Sequence, residues 1–217
     1  MRRLSPWVDG ESVELLLLGA HADDIEIGCG ATVLRWAREG RIARATWVVL
    51  SGSGARADEA RTSAMAFMRE VAQVVIRVEG FRDGYLPYAG EPLKDLLEEI
   101  KRSVAPDVIL THDRDDAHQD HRLVGDLTWQ TFRDHLILEY EVPKFDGDLG
   151  RPNLYVDVPK WAADDKARLL VENFPSQSGR HWFTPDTFNG LARLRGVESR
   201  SSSGFAEAFR SRKAVLS

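Results

Sequence analysis

Leu15-Leu16-Leu17-Leu18-Gly19-Ala20-His21-Ala22-Asp23-Asp24-Ile25-Glu26-Ile27-Gly28-Cys29-Gly30 is the stretch that decides how this chain folds. Four consecutive leucines suit a strand buried on both faces, as in a parallel sheet, where polar/apolar alternation disappears. The run stops at Gly19, and Gly28 and Gly30 open a helical stretch expected from Ala31 to Glu39. His21, Asp23 and Asp24 therefore fall in a strand-to-helix turn, at the carboxyl end of a central strand. Open α/β sheets bind ligands at that edge. An imidazole and a carboxylate three positions apart reach one metal ion when a turn folds them together. The neighbouring carboxylate, Asp23, is then free to act as a base on water. The plain alternative is a solvated acidic loop in which His21 caps its own turn.

Working outward, strands and helices alternate. Ala43 to Leu50 reads as a strand rich in β-branched and aromatic residues. A helix is expected from Arg56 to Ala72, a strand over Val74–Val78, a loop over Phe81–Pro87, a helix from Pro92 to Val104, and a strand over Asp107–Thr111. This order predicts an α/β fold, a Rossmann-like three-layer sandwich with a mostly parallel central sheet and right-handed crossovers. The loop Ser51-Gly52-Ser53-Gly54 lands at the same edge as His21, but no Gly-Lys-Ser/Thr follows it. Gly28 and Gly30 fall short of a dinucleotide fingerprint, so a nucleotide-binding role is disfavoured.

A second cluster follows the strand ending at Thr111: His112-Asp113-Arg114-Asp115-Asp116-Ala117-His118-Gln119-Asp120-His121, with a helix expected from Leu123 to Phe132. It holds three of the chain's six histidines, bunched with carboxylates behind a buried strand. A solvated charge run seldom has that composition. The cluster lies at the same sheet edge as the first.

The two clusters together resemble the PIG-L/LmbE family of zinc-dependent N-deacetylases. That family pairs an Ala-His-Pro/Ala-Asp-Asp turn with a later His-x-Asp-His element; here they are Ala20-His21-Ala22-Asp23-Asp24 and His118-Gln119-Asp120-His121. Gly54 to Ala60 is similar to the family's Arg-x-x-Glu loop-to-helix segment, and Asp83-Gly84-Tyr85-Leu86 to its loop after the third strand. Lys166 through Ser176-Gln177 and Gly204 to Phe209 resemble its later helix and its terminal Phe-Ala-Glu-x-Phe. The likeness runs from about residue 13 to 209 in the family's order. It implies zinc held by His21, Asp24 and His121, with iron(II) suited to the same donors in the cell. It implies Asp23 as general base and His118 as a second catalytic group, oriented and kept charged by Asp120. It places Arg56 and Asp83 at positions that contact the sugar. Many members have Pro-Asp-x-x before the later histidine where this chain has Asp116-Ala117-His118, which leaves the roles of Asp115 and Asp116 open.

The chemistry of these residue types agrees. Two imidazoles and one carboxylate leave a tetrahedral zinc with an open position, as in hydrolytic sites. Zinc brings the pKa of water to roughly 7, and a placed base is worth about 10²–10⁴ in rate. Zinc and a protonated His118 would share the amide oxyanion. The leaving amine takes a proton from Asp23 or His118. The expected activity is removal of an acetyl group from an N-acetylated amino sugar or its conjugate. The alternatives are a zinc hydrolase of another amide or ester, and a catalytically silent metal-binding domain, against which the intact Asp23 and His118 speak.

The rest of the chain sets bounds. At 217 residues it suits one domain, with core motifs over 13–134 and a variable substrate-pocket region over 135–217. A net charge of −5 disfavours a nucleic-acid partner and leaves a small-molecule substrate. The single cysteine, Cys29, excludes an internal disulfide and suits a tight buried spot. Met1 to Trp7 has no apolar run after its arginines, and no stretch approaches the roughly 20 residues of a membrane span; a cytoplasmic protein is expected. The oligomeric state is open, a homo-oligomer included. His112 is expected to make a structural bond, and His135 and His181 to be ordinary packing or surface residues. Leu136–Val142 and Leu154–Val158 read as strands, 143–152 as a loop suited to a lid, and Trp161–Phe174 and Thr184–Val197 as helices.

Overall fold

A computed structural model describes residues 11–215; of the lead-in expected over 1–12, residues 1–10 lie outside the described residues. The leucine run forms β1 (Val13–Gly19), with Leu15 to Leu18 fully buried. It is followed by α1 (Asp24–Arg38), β2 (Ile42–Val49), α2 (Ala55–Phe67), β3 (Val74–Val78), α3 (Gly90–Ser103), β4 (Val108–His112), α4 (Gln119–Thr131), β5 (Leu136–Tyr140), β6 (Leu154–Asp157), α5 (Lys160–Asn173), α6 (Pro185–Ser199) and β7 (Ala206–Arg210). The sheet order is β3-β2-β1-β4-β5-β7-β6. The first five strands are parallel, and β7 runs antiparallel to both β5 and β6.

The leucines split between two layers. Leu15 and Leu17 pack with Ile25, Val33, Phe67 and Leu170, from α1, α2 and α5. Leu16 and Leu18 pack with Leu93, Leu97, Val124 and Leu127, from α3 and α4. Each fully buried leucine contributes about 1.5–3 kcal/mol. The chain moves outward from β1 to β3, then returns to place β4 on the other side of β1. That reversal puts a topological switch point at the carboxyl ends of β1 and β4, where a crevice forms.

Element ends shift by a few residues, α2 stopping at Phe67 rather than Ala72, and three differences bear on the site. α1 begins at Asp24, so Gly28 and Gly30 lie inside it. A Cβ on Gly28 would sit 2.1 Å from Tyr140 Cδ2, and one on Gly30 would sit 2.6 Å from Phe67 Cε1; the glycines let the helix approach the sheet. α4 begins at Gln119, because His118 caps it: its Nδ1 accepts the Asp120 N–H at 3.2 Å. β7 was not expected as a strand, since Ala206-Glu207-Ala208 has little strand propensity. Glu207 explains its place. Its carboxylate accepts the N–H groups of Ala31 and Thr32 in α1 at 3.0 and 2.7 Å, and Lys166 of α5 binds it at 2.6 Å. Among the described residues no helix is long and apolar enough to cross a membrane.

Candidate metal centre

β1 and β4 are neighbours in parallel register, Leu17 opposite Leu110, so the segments after them leave the sheet side by side. His21 sits in the turn after β1, and Asp24 is the first residue of α1. His121 stands in the first turn of α4. The structure brings these three together. His21 Nδ1 lies 3.1 Å from His121 Nε2 and 3.2 Å from Asp24 Oδ2, and the latter two atoms are 3.4 Å apart. Donors on a tetrahedral ion with bonds of about 2.0–2.1 Å stand about 3.3 Å apart, so this triangle fits one zinc ion. Asp24 and His121 are buried, and His21 is partly open to solvent.

Among the described residues three other groups lie within metal-binding reach: His21–His118–His121, His21–Asp83–Asp120, and the buried set Asp24–His112–His121. His112 is poorly placed to serve the last. Its Nε2 accepts the Ala20 N–H at 2.9 Å, and its ring stacks on His121 with centroids 3.9 Å apart. Burial, then His121, lowers its pKa to about 4. It is a neutral imidazole with its lone pair engaged, the structural bond expected of it.

Each histidine of the triangle turns its other nitrogen to a buried carboxylate. His21 Nε2 lies 3.2 Å from Asp120 Oδ2, and His121 Nδ1 lies 2.9 Å from Asp116 Oδ2. Such outer partners fix the tautomer and ring orientation of metal-ligating histidines. Here one expectation is corrected. The Asp120 carboxylate does not orient the His118 ring; the Asp120 backbone N–H does. That carboxylate is spent on His21 and on the N–H groups of Gly84 and Leu86, at 2.8 and 3.2 Å. With no carboxylate on it, His118 is held below its ordinary pKa, by burial and then by His121 and His21. Its ring faces the triangle edge-on to His21, centroids 4.9 Å apart.

Asp23 is buried beside the triangle, and burial raises its pKa while Arg56 works against the rise. Arg56 Nη2 lies 3.0 Å from Asp23 Oδ1, and its Nη1 lies 3.2 Å from Glu59. Glu59 in turn accepts from the Ser176 N–H and Oγ at 2.8 and 2.7 Å. Arg56 is thus committed to Asp23 rather than held free for a ligand. Asp83 Oδ1 lies 3.2 Å from His21 Nε2 at the rim, its side chain mostly exposed.

Carboxylates outnumber cations here. Burial would raise Asp24, but His121 and then His21 hold it well below the usual carboxylate range. Burial would lower His121, yet Asp24 and Asp116 bring it to about 9. A pocket that attracts positive charge this strongly favours a dication. Sequence reading missed Asp116 as a partner of His121, and Glu59 and Ser176 as supports of Arg56. Arg-x-x-Glu spacing was the available signal for Glu59; Asp116 and Ser176 had none.

Comparison with known proteins bears on this geometry. The family model described as GlcNAc-PI de-N-acetylase, PIG-L, matches residues 16–132. The uncharacterized deacetylase YaiS of Escherichia coli K12 is 29% identical over 144 residues, covering 59% of this chain and 74% of that protein. The N,N'-diacetylchitobiose deacetylase of Pyrococcus horikoshii superposes with a TM-score of 0.69 at 20% identity, over 91% of this chain and 83% of that one. GalB, the 4-carboxy-2-hydroxymuconate hydratase of Pseudomonas putida KT2440, superposes with a TM-score of 0.72 at 18% identity, over 94% and 98%. Likenesses at these identities show the fold, and the fold is shared by a deacetylase and a hydratase, so the reaction must be argued from the site.

Proposed function

Because the chain belongs to the GlcNAc-PI de-N-acetylase (PIG-L) family, we propose that it is a zinc-dependent cytoplasmic hydrolase that removes the acetyl group from an N-acetylated amino sugar or a small-molecule conjugate of one. The observation that supports this most is the donor triangle of His21 Nδ1, Asp24 Oδ2 and His121 Nε2, with edges of 3.1 to 3.4 Å, and buried Asp23 beside it. These three residues would hold the ion; iron(II) suits the same donors. Zinc held there would polarise the amide carbonyl and acidify water to a pKa of roughly 7.

The chain's own groups supply the rest. Asp23 takes the proton of the water whose oxygen adds to the carbonyl carbon. Arg56 keeps Asp23 ionised for that task. Asp116 and Asp120 hold the two imidazoles in place. His118, bordering the triangle, would donate Nε2–H to the carbonyl oxygen as it gains charge, its Nδ1 accepting the Asp120 N–H. The C–N bond breaks as the nitrogen gains a proton from Asp23 or His118, giving acetate and the free amine. Asp83 at the rim would accept from a sugar hydroxyl.

The test is amine release from a panel of N-acetylglucosamine conjugates by zinc-loaded protein, beside a chelated sample. Chelator-sensitive release from any member is expected, and its ranking identifies the accepted conjugate. No release with zinc bound would overturn the amino-sugar assignment and move the same site to another amide, an ester or a hydration.

A further inference from the structure

The two carboxylates behind the histidines are treated differently. Asp120, behind His21, receives only backbone N–H groups besides the imidazole. Asp116, behind His121, receives a cation. Lys144 Nζ lies 2.9 Å from the same Oδ2 that faces His121 Nδ1. Lys144 belongs to the irregular segment 141–153 between β5 and β6, and its side chain is only 12% exposed. Asp148 of the same segment completes the contact: its Oδ2 is 2.6 Å from Lys144 Nζ and accepts the Ala117 N–H at 2.7 Å.

A carboxylate behind a ligating imidazole raises the basicity of that ligand. A lysine on the carboxylate takes back part of that effect, and its own charge repels a nearby dication. Both effects have one sign. Asp116 does not need Lys144 for its position, because its Oδ1 accepts the His118 N–H at 2.7 Å and it is itself buried.

We propose that Lys144 is a positioning residue whose charge, delivered by the 141–153 segment and shared with Asp116, holds down the affinity of the His21–Asp24–His121 site for its divalent cation. This rests on the metal reading given above. A less basic donor leaves more positive charge on the ion, which favours polarisation of a carbonyl over tight storage of the metal. The segment suited to a lid therefore carries one of the charges that set the strength of the centre.

The test uses the full chain, stripped of metal and titrated with zinc alone against a competing chromophoric chelator. Wild type should take up zinc at a site abolished by His121→Ala. Lys144→Met keeps the length of the side chain and should bind zinc about tenfold more tightly, the low end of outer-partner effects. Lys144→Arg should restore wild-type affinity. Asp148→Asn keeps an acceptor for Ala117 but leaves Lys144 wholly to Asp116, and should bind zinc more weakly. Simple release of the segment would move the Met and Asn variants in the same direction, so opposite directions are the signature. Unchanged or weaker binding in Lys144→Met, with an unaltered melting temperature of the metal-free protein, overturns the proposal. Absence of zinc uptake by wild type would sink the metal reading and this inference with it, and is seen before any Lys144 variant is measured.

Discussion

Replacing Arg56 by methionine should move the acidic limb of activity rather than simply weaken the enzyme. Asp23 must be ionised to accept a proton, burial raises its pKa, and Arg56 at 3.0 Å opposes that rise. An ion pair at about 4 Å is worth about 4 kcal/mol at an effective dielectric of 20, or about three pK units. The Arg56 side chain is 29% exposed, and water replacing it recovers part of that, so about one to two units should survive. In Arg56→Met the acidic limb of kcat/KM should therefore shift upward by about one to two pH units. Rates above the limb should approach wild type, apart from any lost substrate contact, and Arg56→Lys should lie between. The assay is amine release from the best N-acetylated substrate across pH 5–9, with zinc content measured at each end. A uniform loss of rate with an unmoved acidic limb would refute the reasoning and leave Arg56 as a substrate contact only.

Other expectations follow from single contacts. Asp23→Asn keeps the shape of the carboxylate and should retain zinc while losing about 10²–10⁴ in kcat, checked by metal content and single-turnover rate. Glu139 is buried against Trp129 Nε1 at 2.5 Å, and burial raises its pKa to about 7. Its raised folded-state value stabilises the fold fully below the unfolded pKa of about 4.5, and that contribution is lost as pH rises through 7. Glu139→Gln should therefore gain up to about 3 kcal/mol on wild type between pH 5 and 8, measured by urea unfolding at both. Gly28→Ala places a Cβ 2.1 Å from Tyr140 Cδ2 and should cost about 1–3 kcal/mol of stability in thermal melts.

Much of this was legible in the chain. Leu15 to Leu18 announce a strand buried on both sides, and the alternation of strands and helices places it centrally. Both histidine–aspartate clusters follow strands, and the switch-point rule brings two such ends together when the strands are β1 and β4. What stayed hidden depends on side-chain direction. Asp116 and Asp120 look equivalent around His121 in sequence, yet only the start of α4 at Gln119 decides which imidazole each one meets. Glycine misleads in α1, where Gly28 and Gly30 read as the opening of the helix and instead lie inside it, admitting Tyr140 and Phe67. β7 has one strand-forming residue, Phe209, and its Glu207 is buried to bind α1, which no strand pattern announces. Lys144 is more than 20 residues beyond His121 in a loop with no periodic pattern, so no spacing links them.

Zinc stoichiometry in single variants tests the central assignment most directly. Wild type, His21→Ala, Asp24→Ala, His121→Ala and His112→Phe would be stripped, loaded with limiting zinc, desalted and measured by atomic emission. One zinc per chain is expected in wild type and in His112→Phe, and little in the three triangle variants. Full zinc in folded His21→Ala, with loss confined to Asp24, His112 and His121 variants, would contradict the account and place the ion in the buried group instead.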